Sequence, residues 1–537
     1  MNLITGEINW ESTEKKVIQR NKTFSNDVLE LYVDRLSCFN SDEKPYFYNH
    51  DRKILISILG HIYNLKEIKS KYSILKVNDA EIIEELYALK KDRLILELDG
   101  IFLIFIFDTI VQKGYVFQSE YGFSRPFYYS LTQNGVVFST SLKRLLEKIP
   151  LKRELNINAV YDFLYYEQII PNELTLIKGI KKLIPQRYMV FDLFTKTVFV
   201  KSLIARRKRI SIKTAKENII TSIEKNMFRI YGELKKEKLA ITLTAGWDTN
   251  LLLHFLSKIA FEKIYAVTLS GGAEISEISS VKSIIDNYDK IEHLNSEIRE
   301  DIVDIFPEIV WTYEGYVFES GIFLRYELAK LLQKEGSKYV FLGACADQVF
   351  VMPITIWVVK HIKKRLINRE HRFRLNILSH KYDIKIEMLF DYLLKMHEIA
   401  LNNFGIQGIY PFLNKETLQI GKTLRVFNFR KRLYRNRIKK TINPSIIRYL
   451  AKSGAVVDIN HLFNINKSQL IKIFNQEFIN KILSSTQIEK ILQKPKDYTL
   501  LIFQLIYIYL FNELFISGRF DTKFDDIRLN APLSMFL

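Results

Sequence analysis

Cysteine, proline and glycine are all scarce in this chain. Two cysteines, Cys38 and Cys345, in 537 residues cannot frame a disulfide scaffold, which points to a reducing compartment. With 11 prolines and 20 glycines the chain is neither collagen-like nor of low complexity. The opening Met1-Asn-Leu-Ile-Thr-Gly-Glu lacks a basic stretch followed by an apolar run, so no secretory signal is expected and the chain reads as cytoplasmic. There is no Cys-x-x-Cys pair and no histidine cluster, so no zinc site is expected. No repeat recurs at solenoid periods. What is present is 48% hydrophobic and 26% charged, the composition of a folded chain. At about 150 residues per domain, two to four domains are expected.

Lysine and arginine total 79 against 60 acidic residues, a net charge of +19. Such an excess favours acidic partners, whether nucleic acid, an anionic membrane surface or polyphosphate substrates. It concentrates in Lys360–Arg374 and Arg425–Lys440, both of which read as solvated helix faces. Two apolar segments, Val349–Val359 and Tyr498–Phe511, fall short of the ~18–20 residues a membrane span needs. The second, interrupted by Gln504 and followed by Asn512 and Glu513, is expected to be a buried helix.

To about Leu203 short apolar runs alternate with turn residues, as in packed β-sheets: Lys53–Leu59, Leu94–Asp108, Gly114–Gln118 and Gly135–Ser139. From Ile210 short strands separate long helical stretches, which predicts a parallel sheet. The basic stretch Leu203–Ile210 is the expected linker.

The segment Leu239-Ala-Ile-Thr-Leu-Thr-Ala-Gly-Trp-Asp-Thr runs from an apolar strand through a small turn into a helix. That geometry aims backbone N–H groups at a phosphate or pyrophosphate. Thr244 and Thr249 add hydroxyls, and Asp248 suits the site only with Mg²⁺ between it and the phosphates. Capping of an ordinary helix is the competing reading.

Thr244-Ala-Gly-Trp-Asp-Thr resembles the Ser-Gly-Gly-x-Asp-Ser pyrophosphate loop of the asparagine synthetase family. Leu342-Gly-Ala-Cys-Ala-Asp-Gln-Val-Phe is similar to that family's Ser-Gly-x-Gly-(Ala/Ser)-Asp-Glu-Leu-Phe segment. Ile264-Tyr-Ala-Val-Thr, Glu277 and Glu292-His293 follow between them in the family's order. Tyr410-Pro-Phe-Leu-Asn resembles its Arg-x-Pro-Phe-Leu-Asp, and Lys452 follows Pro444 at the spacing of its catalytic lysine. Upstream, Tyr121-Gly-Phe-Ser-Arg-Pro-Phe-Tyr-Tyr, Phe138-Ser-Thr-Ser and Leu176-Ile-Lys-Gly-Ile resemble glutaminase-half segments, so the likeness is colinear over nearly the whole chain.

The resemblance implies a glutaminase-like αββα sandwich over residues 1–203 and a doubly wound α/β ATP-pyrophosphatase domain over 204–537. It implies that Leu243, Thr244, Ala245, Gly246, Asp248, Thr249, Val267, Leu342 and Gly343 bind ATP and pyrophosphate. Asp248 and Asp347 would hold Mg²⁺, and Lys452 would be the catalytic cation. Departures are equally specific. Asn2 stands where the family carries its nucleophilic cysteine, and an amide cannot act as that nucleophile. Leu59 and His61, in Leu59-Gly-His-Ile-Tyr-Asn, replace an oxyanion donor and the carboxylate that receives glutamine's amine. Ala344, Gln407 and Ile409 also depart from the family pattern, which disfavours asparagine as the product, while Gln348 and Val351-Met352 are departures expected to weaken the site.

The pattern is similar to the β-lactam synthetases and lasso-peptide cyclases of the family, whose substrates carry their own amine. The expected activity is therefore a ligase forming an amide through an acyl-adenylate, releasing AMP and pyrophosphate. Its substrate would be a small-molecule or peptide carboxylate. An ammonia-using asparagine synthetase and an inactive binding protein for nucleic acid or peptide are the alternatives. An acidic partner or an anionic membrane surface would meet the basic faces, nucleic acid is disfavoured, and homodimerisation is left open.

Overall fold

Every residue of the strand Gly100–Asp108 is buried, and period-two alternation sorts them into two cores. Leu103, Phe105 and Phe107 face one hydrophobic cluster, while Phe102, Ile104 and Ile106 face another. A strand with two buried faces reads as an unbroken apolar run, as this one does. The computed structural model describes residues 3–10, 18–19, 23–34, 45–149, 152–165, 170, 172–203, 210–234, 238–260, 263–270, 275–297, 300–316, 321–350, 386–424, 431–451, 467–517 and 533–535.

Among these, one antiparallel sheet orders its strands Thr197–Ser202, Arg187–Asp192, Lys113–Gln118, Gly100–Asp108, Ile54–Ile62 and Tyr46–Asn49. Its outer face is covered by the helices Leu65–Tyr72 and Asp79–Lys90 through Ile68, Ile82, Ile83 and Leu86. Its inner face meets a second antiparallel sheet that includes Leu3–Asn9, Leu29–Asp34, Tyr128–Thr132 and Gly135–Ser139. There Phe105 stacks on Phe138 at 5.3 Å, and Phe138 on Phe191 at 5.6 Å. The helix Leu142–Lys148 lies against the second sheet, completing the sandwich.

A third sheet is wholly parallel, in the order Ile291–Glu297, Ile264–Ser270, Leu239–Thr242, Tyr339–Phe341, Gln407–Ile409. The chain enters at the central Leu239 strand, winds outward twice on one side, then crosses to the other. The loops after Thr242 and Phe341 therefore diverge at the switch point, where open α/β sheets hold their ligands.

Two segments differ from expectation. Leu94–Asp108 is not one strand, because Lys91–Leu96 is a 3₁₀ turn and the strand begins at Gly100. Arg425–Lys440 is not simply a solvated face, because Lys431, Tyr434 and Ile438 are buried. The run Lys360–Arg374, the linker residues 204–209 and most of Val349–Val359 lie outside the described residues.

The apolar C-terminal segment is helical over Pro495–Ile516, long and apolar enough by composition to cross a membrane, yet mostly buried in the fold. Phe503 stacks on Phe306 at 4.9 Å and Tyr507 on Phe163 at 5.6 Å, so it is a core helix.

Polar contacts also tie the sandwich to the residues that follow it. Asp99 accepts hydrogen bonds from the Tyr121 hydroxyl (3.0 Å), Arg229 Nη2 (3.1 Å) and the Lys415 N–H (3.2 Å). Glu314 accepts from the Ser141 hydroxyl (2.7 Å) and the Leu142 N–H (2.6 Å). All of these acceptors are buried, so each bond also prevents an unsatisfied charge.

Candidate active site

The loop after Thr242 is fixed from beneath. Leu243 N–H donates to the Val267 carbonyl (2.8 Å), and the Thr268 hydroxyl donates to the Leu243 carbonyl (3.0 Å). With that hydroxyl proton committed, His293 Nε2, 3.0 Å from Thr268 Oγ1, is the donor of the next link. Leu243 and Val267 are therefore buried scaffold, supporting the loop through backbone atoms.

Above them, Thr244 Oγ1 accepts from Gly246 N–H (3.1 Å) and lies 3.3 Å from Thr249 Oγ1. Asn250 Nδ2 donates to the carbonyls of Thr244 (2.9 Å) and Gly246 (2.7 Å), which sets the curvature of the turn. Gly246 is the N-cap of the helix Trp247–Ile259 and brings no side-chain cap. The N–H groups of the first turn thus stay available to an anion.

The second loop follows Phe341. Leu342 N–H donates to the Ile409 carbonyl (3.0 Å), and Gly343 lies on the first turn of the Trp247 helix. A Cβ at Gly343 would sit 2.6 Å from Thr249 Cγ2 and 3.3 Å from Thr249 N, so only glycine permits this approach. Cys345 takes the left-handed φ of 72° and starts the short helix Ala346–Phe350. Burial pushes its thiol pKa up, consistent with the inert packing expected of it.

These two loops bring Asp248 and Asp347 to a common point. Lys431 Nζ lies 2.7 Å from Asp248 Oδ2 and 2.6 Å from Asp347 Oδ1. Burial would pull the Lys431 amine down, but the two carboxylates outweigh it and hold its pKa above the ordinary lysine value. Its ammonium lies 5.5 Å from the ring centroid of Tyr434, which stacks on Phe350 at 4.5 Å. Phe412, of the Tyr410-Pro-Phe-Leu-Asn segment, closes the stack edge-on to both rings at 6.5 Å.

The carboxylates fit a hard divalent ion such as Mg²⁺. They present oxygen to one point, and Asp248 Oδ1 is buried without a hydrogen-bond partner among the described residues. No group of three or more His, Cys, Asp or Glu side chains exists there. Water and phosphate would complete the coordination of such an ion, which is how Mg²⁺ usually binds.

Of the residues singled out in the sequence, Leu243 to Gly246, Asp248, Thr249, Val267, Leu342, Gly343 and Asp347 gather at the ends of three adjacent strands. Lys452 lies outside the described residues, but its predecessor Ala451 donates its N–H to the Ala245 carbonyl in the loop (2.9 Å). In the sequence Lys431 is masked by the basic run around it. Its signal was the i, i+3, i+7 spacing of Lys431, Tyr434 and Ile438, the period of a buried helix face.

Gln407 and Ile409 are sheet residues rather than site residues. Ile409 is buried, and Gln407 Nε2 donates to the buried Glu398 (3.2 Å). In the sandwich, Leu59 is wholly buried in the core opposite Leu103. His61 lies opposite Ile101, its ring 5.4 Å from that of Tyr63. Asn2 is outside the described residues.

An antiparallel sandwich joined to a doubly wound sheet with paired carboxylates at its switch point defines an amidotransferase-type domain followed by a pyrophosphate-loop domain. Residues 17–199 match the family model of the glutamine amidotransferase domain, and residues 235–353 match that of asparagine synthase. The order of the two matches, amidotransferase domain then asparagine synthase, supports the likeness to the asparagine synthetase family. The chain is 23% identical over 337 residues to Putative asparagine synthetase (glutamine-hydrolyzing) 2 of Methanocaldococcus jannaschii, covering 58% of this chain and 62% of that one. It is 27% identical over 113 residues to asparagine synthetase (glutamine-hydrolyzing) 2 of Bacillus subtilis, covering 20% of this chain and 15% of that one. The chain thus spans less than two thirds of the length of either curated relative. Among solved structures, it overlaps glutamine phosphoribosylpyrophosphate amidotransferase from B. subtilis at 9% identity and a TM-score of 0.26, covering 73% of this chain and 99% of that one.

Proposed function

We propose that the chain is an ATP-dependent carbon–nitrogen ligase working through an acyl-adenylate, with an amine on the substrate itself as nucleophile. The observation that carries this reading is the convergence of Asp248 and Asp347 on one cationic centre at the mouth of the Thr244–Thr249 turn.

In the first step a substrate carboxylate oxygen bonds to the α-phosphorus of ATP as the bond to the β-phosphate bridging oxygen breaks, and pyrophosphate leaves. The Thr244 and Thr249 hydroxyls and the first-turn N–H groups of the Trp247 helix hold the pyrophosphate. Lys431 and Lys452 supply positive charge to it. Mg²⁺, held by Asp248 and Asp347, would supply further charge neutralisation on the phosphates. In the second step the amine nitrogen bonds to the acyl carbon, the bond to AMP breaks, and the nitrogen loses its proton. Gly343 keeps the two loops in register for both steps.

The substrate's own amine is preferred to ammonia from glutamine because Asn2 and Leu59 replace the nucleophile and an oxyanion donor. A peptide macrocycle or a lactam is the corresponding product. The alternative is an asparagine synthetase using ammonia; both relatives are named asparagine synthetases, though glutamine-hydrolyzing ones.

The test is isotopic. A candidate amino acid or peptide labelled with heavy oxygen in its carboxylate is incubated with Mg²⁺ and ATP, and the AMP is weighed by mass spectrometry. Label transferred to AMP supports the adenylate, whereas unlabelled AMP or the production of ADP and phosphate overturns it. Product formation with aspartate and ammonium alone would select the alternative.

A further inference from the structure

The two carboxylates share a partner that a metal ion would have to displace. Lys431 Nζ is bonded to Asp248 Oδ2 and to Asp347 Oδ1, the two carboxylates that would hold a divalent ion. We infer that Lys431 reserves the metal position: its ammonium keeps a free divalent ion off the Asp248–Asp347 pair until the ion arrives on a nucleotide polyphosphate. The inference rests on the reading of these carboxylates as metal ligands.

Electrostatics and packing both support it. Two facing carboxylates without a cation would repel each other and attract any free divalent ion. With the ammonium between them their combined charge falls from −2 to −1, so an incoming ion meets half the attraction and a competing cation besides. The Lys431 side chain is only 5% exposed. A metal arriving alone would therefore leave a displaced ammonium in a protein interior, at the cost of an unpaired buried charge. A polyphosphate removes that cost, because it brings anionic oxygens to the same place as the ion.

The backbone is built to let only the ammonium move. Lys431 takes a left-handed φ of 59° at the head of the helix Arg432–Thr441, and that helix is anchored by Tyr434 and Ile438, both wholly buried. The four-carbon stem can turn its charged end without disturbing the helix. Asp248 Oδ1, buried and unpartnered among the described residues, is the oxygen that Lys431 leaves unused.

Metal and nucleotide binding are thereby coupled, and the coupling is reciprocal. Nucleotide should raise metal affinity in the wild type far more than in a protein without the ammonium.

The experiment uses Mn²⁺ as the probe, followed by loss of the electron paramagnetic resonance signal of free hydrated Mn²⁺. The full chain and its Lys431→Met and Lys431→Gln variants are titrated with and without a non-cleavable ATP analogue. The wild type should take up Mn²⁺ effectively only with the analogue. The variants should bind Mn²⁺ alone about tenfold more tightly than the wild type, or better, as expected for removing a buried competing charge. Melting curves with and without Mn²⁺ accompany the titration, and a variant folded only when Mn²⁺ is present also supports the inference. Wild-type binding of Mn²⁺ alone as tight as with the analogue, or variants that gain no affinity, would overturn it. If no protein binds Mn²⁺ even with the analogue, the metal reading of Asp248 and Asp347 fails along with it.

Discussion

The backbone N–H of Ala451 donates to the carbonyl of Ala245 at 2.9 Å, joining the residue before Lys452 to the middle of the phosphate-facing turn. On the proposed mechanism Lys452 is the cation for charge that grows during adenylation and again when the amine attacks. Contacts made mainly in the transition state lower turnover more than substrate affinity when lost. Lys452→Ala should bind ATP nearly as wild type yet lose about two or more orders of magnitude in single-turnover AMP formation, the scale of one oxyanion contact. Near-normal turnover would assign that role elsewhere, with Lys431 the first candidate.

Asp248→Asn and Asp347→Asn should each abolish pyrophosphate exchange while circular dichroism stays unchanged. Their stabilities should differ. Asp248 is 23% exposed and Asp347 71%, so water already screens the second pairing with Lys431. Loss of the Asp248 partner is expected to cost about 1–3 kcal/mol and loss of Asp347 less than about 1 kcal/mol. Urea titration of both variants measures the difference.

Glutamine should not be hydrolysed. The Leu59 side chain is committed to the sandwich core, and Asn2 carries no thiol. Glutamate release at background rate, unchanged by Asn2→Ala, is expected. A rate above background that survives that substitution would reveal another nucleophile.

Lys182 gives a pH signature. Its buried amine donates to the Ile170 carbonyl at 2.8 Å and lies 4.7 Å from the Tyr316 ring. Burial lowers its pKa to about 7, with Asp391 opposing the shift. The folded value is thus below the unfolded one of about 10.4. Below pH 7 the folded chain must carry a buried charge. Between about 7 and about 10 the unfolded chain holds a proton that the folded chain does not, so this group makes stability rise with pH. Lys182→Met should remove that rise, and stability curves of the two proteins from pH 6 to about 10 should diverge with a slope of up to about 1.4 kcal/mol per unit.

Patterns that depend on local spacing were legible without coordinates. The apolar strand Leu239–Thr242 running into Thr244–Asp248 fixed the turn, and Gly135–Ser139 is a strand with the expected bounds. Lys431 was not legible by composition, because burial and solvation are indistinguishable within a run of like charges. Its role emerges only when two loops from different strands close on it. Leu94–Leu96 misled for a related reason: its apolar side chains match a strand, but the backbone turns there and buries Leu94 and Ile95 from a 3₁₀ helix.

The buried acceptors Asp99 and Glu314 carry a consequence for how such a protein can change over generations. Both bridge the two halves: Asp99 of the sandwich accepts from Tyr121 beside it and from Arg229 and Lys415 of the second half, and Glu314 of the second half accepts from Ser141 and Leu142 of the sandwich. Deleting the sandwich would strip Glu314 of its donors Ser141 and Leu142, leave Arg229 with Asn226 but without Asp99, and bare the face of Tyr507 that stacks on Phe163. A lineage can therefore discard a nucleophile by one substitution, while shedding the scaffold that once carried it would require rebuilding the remainder of the molecule at the same time.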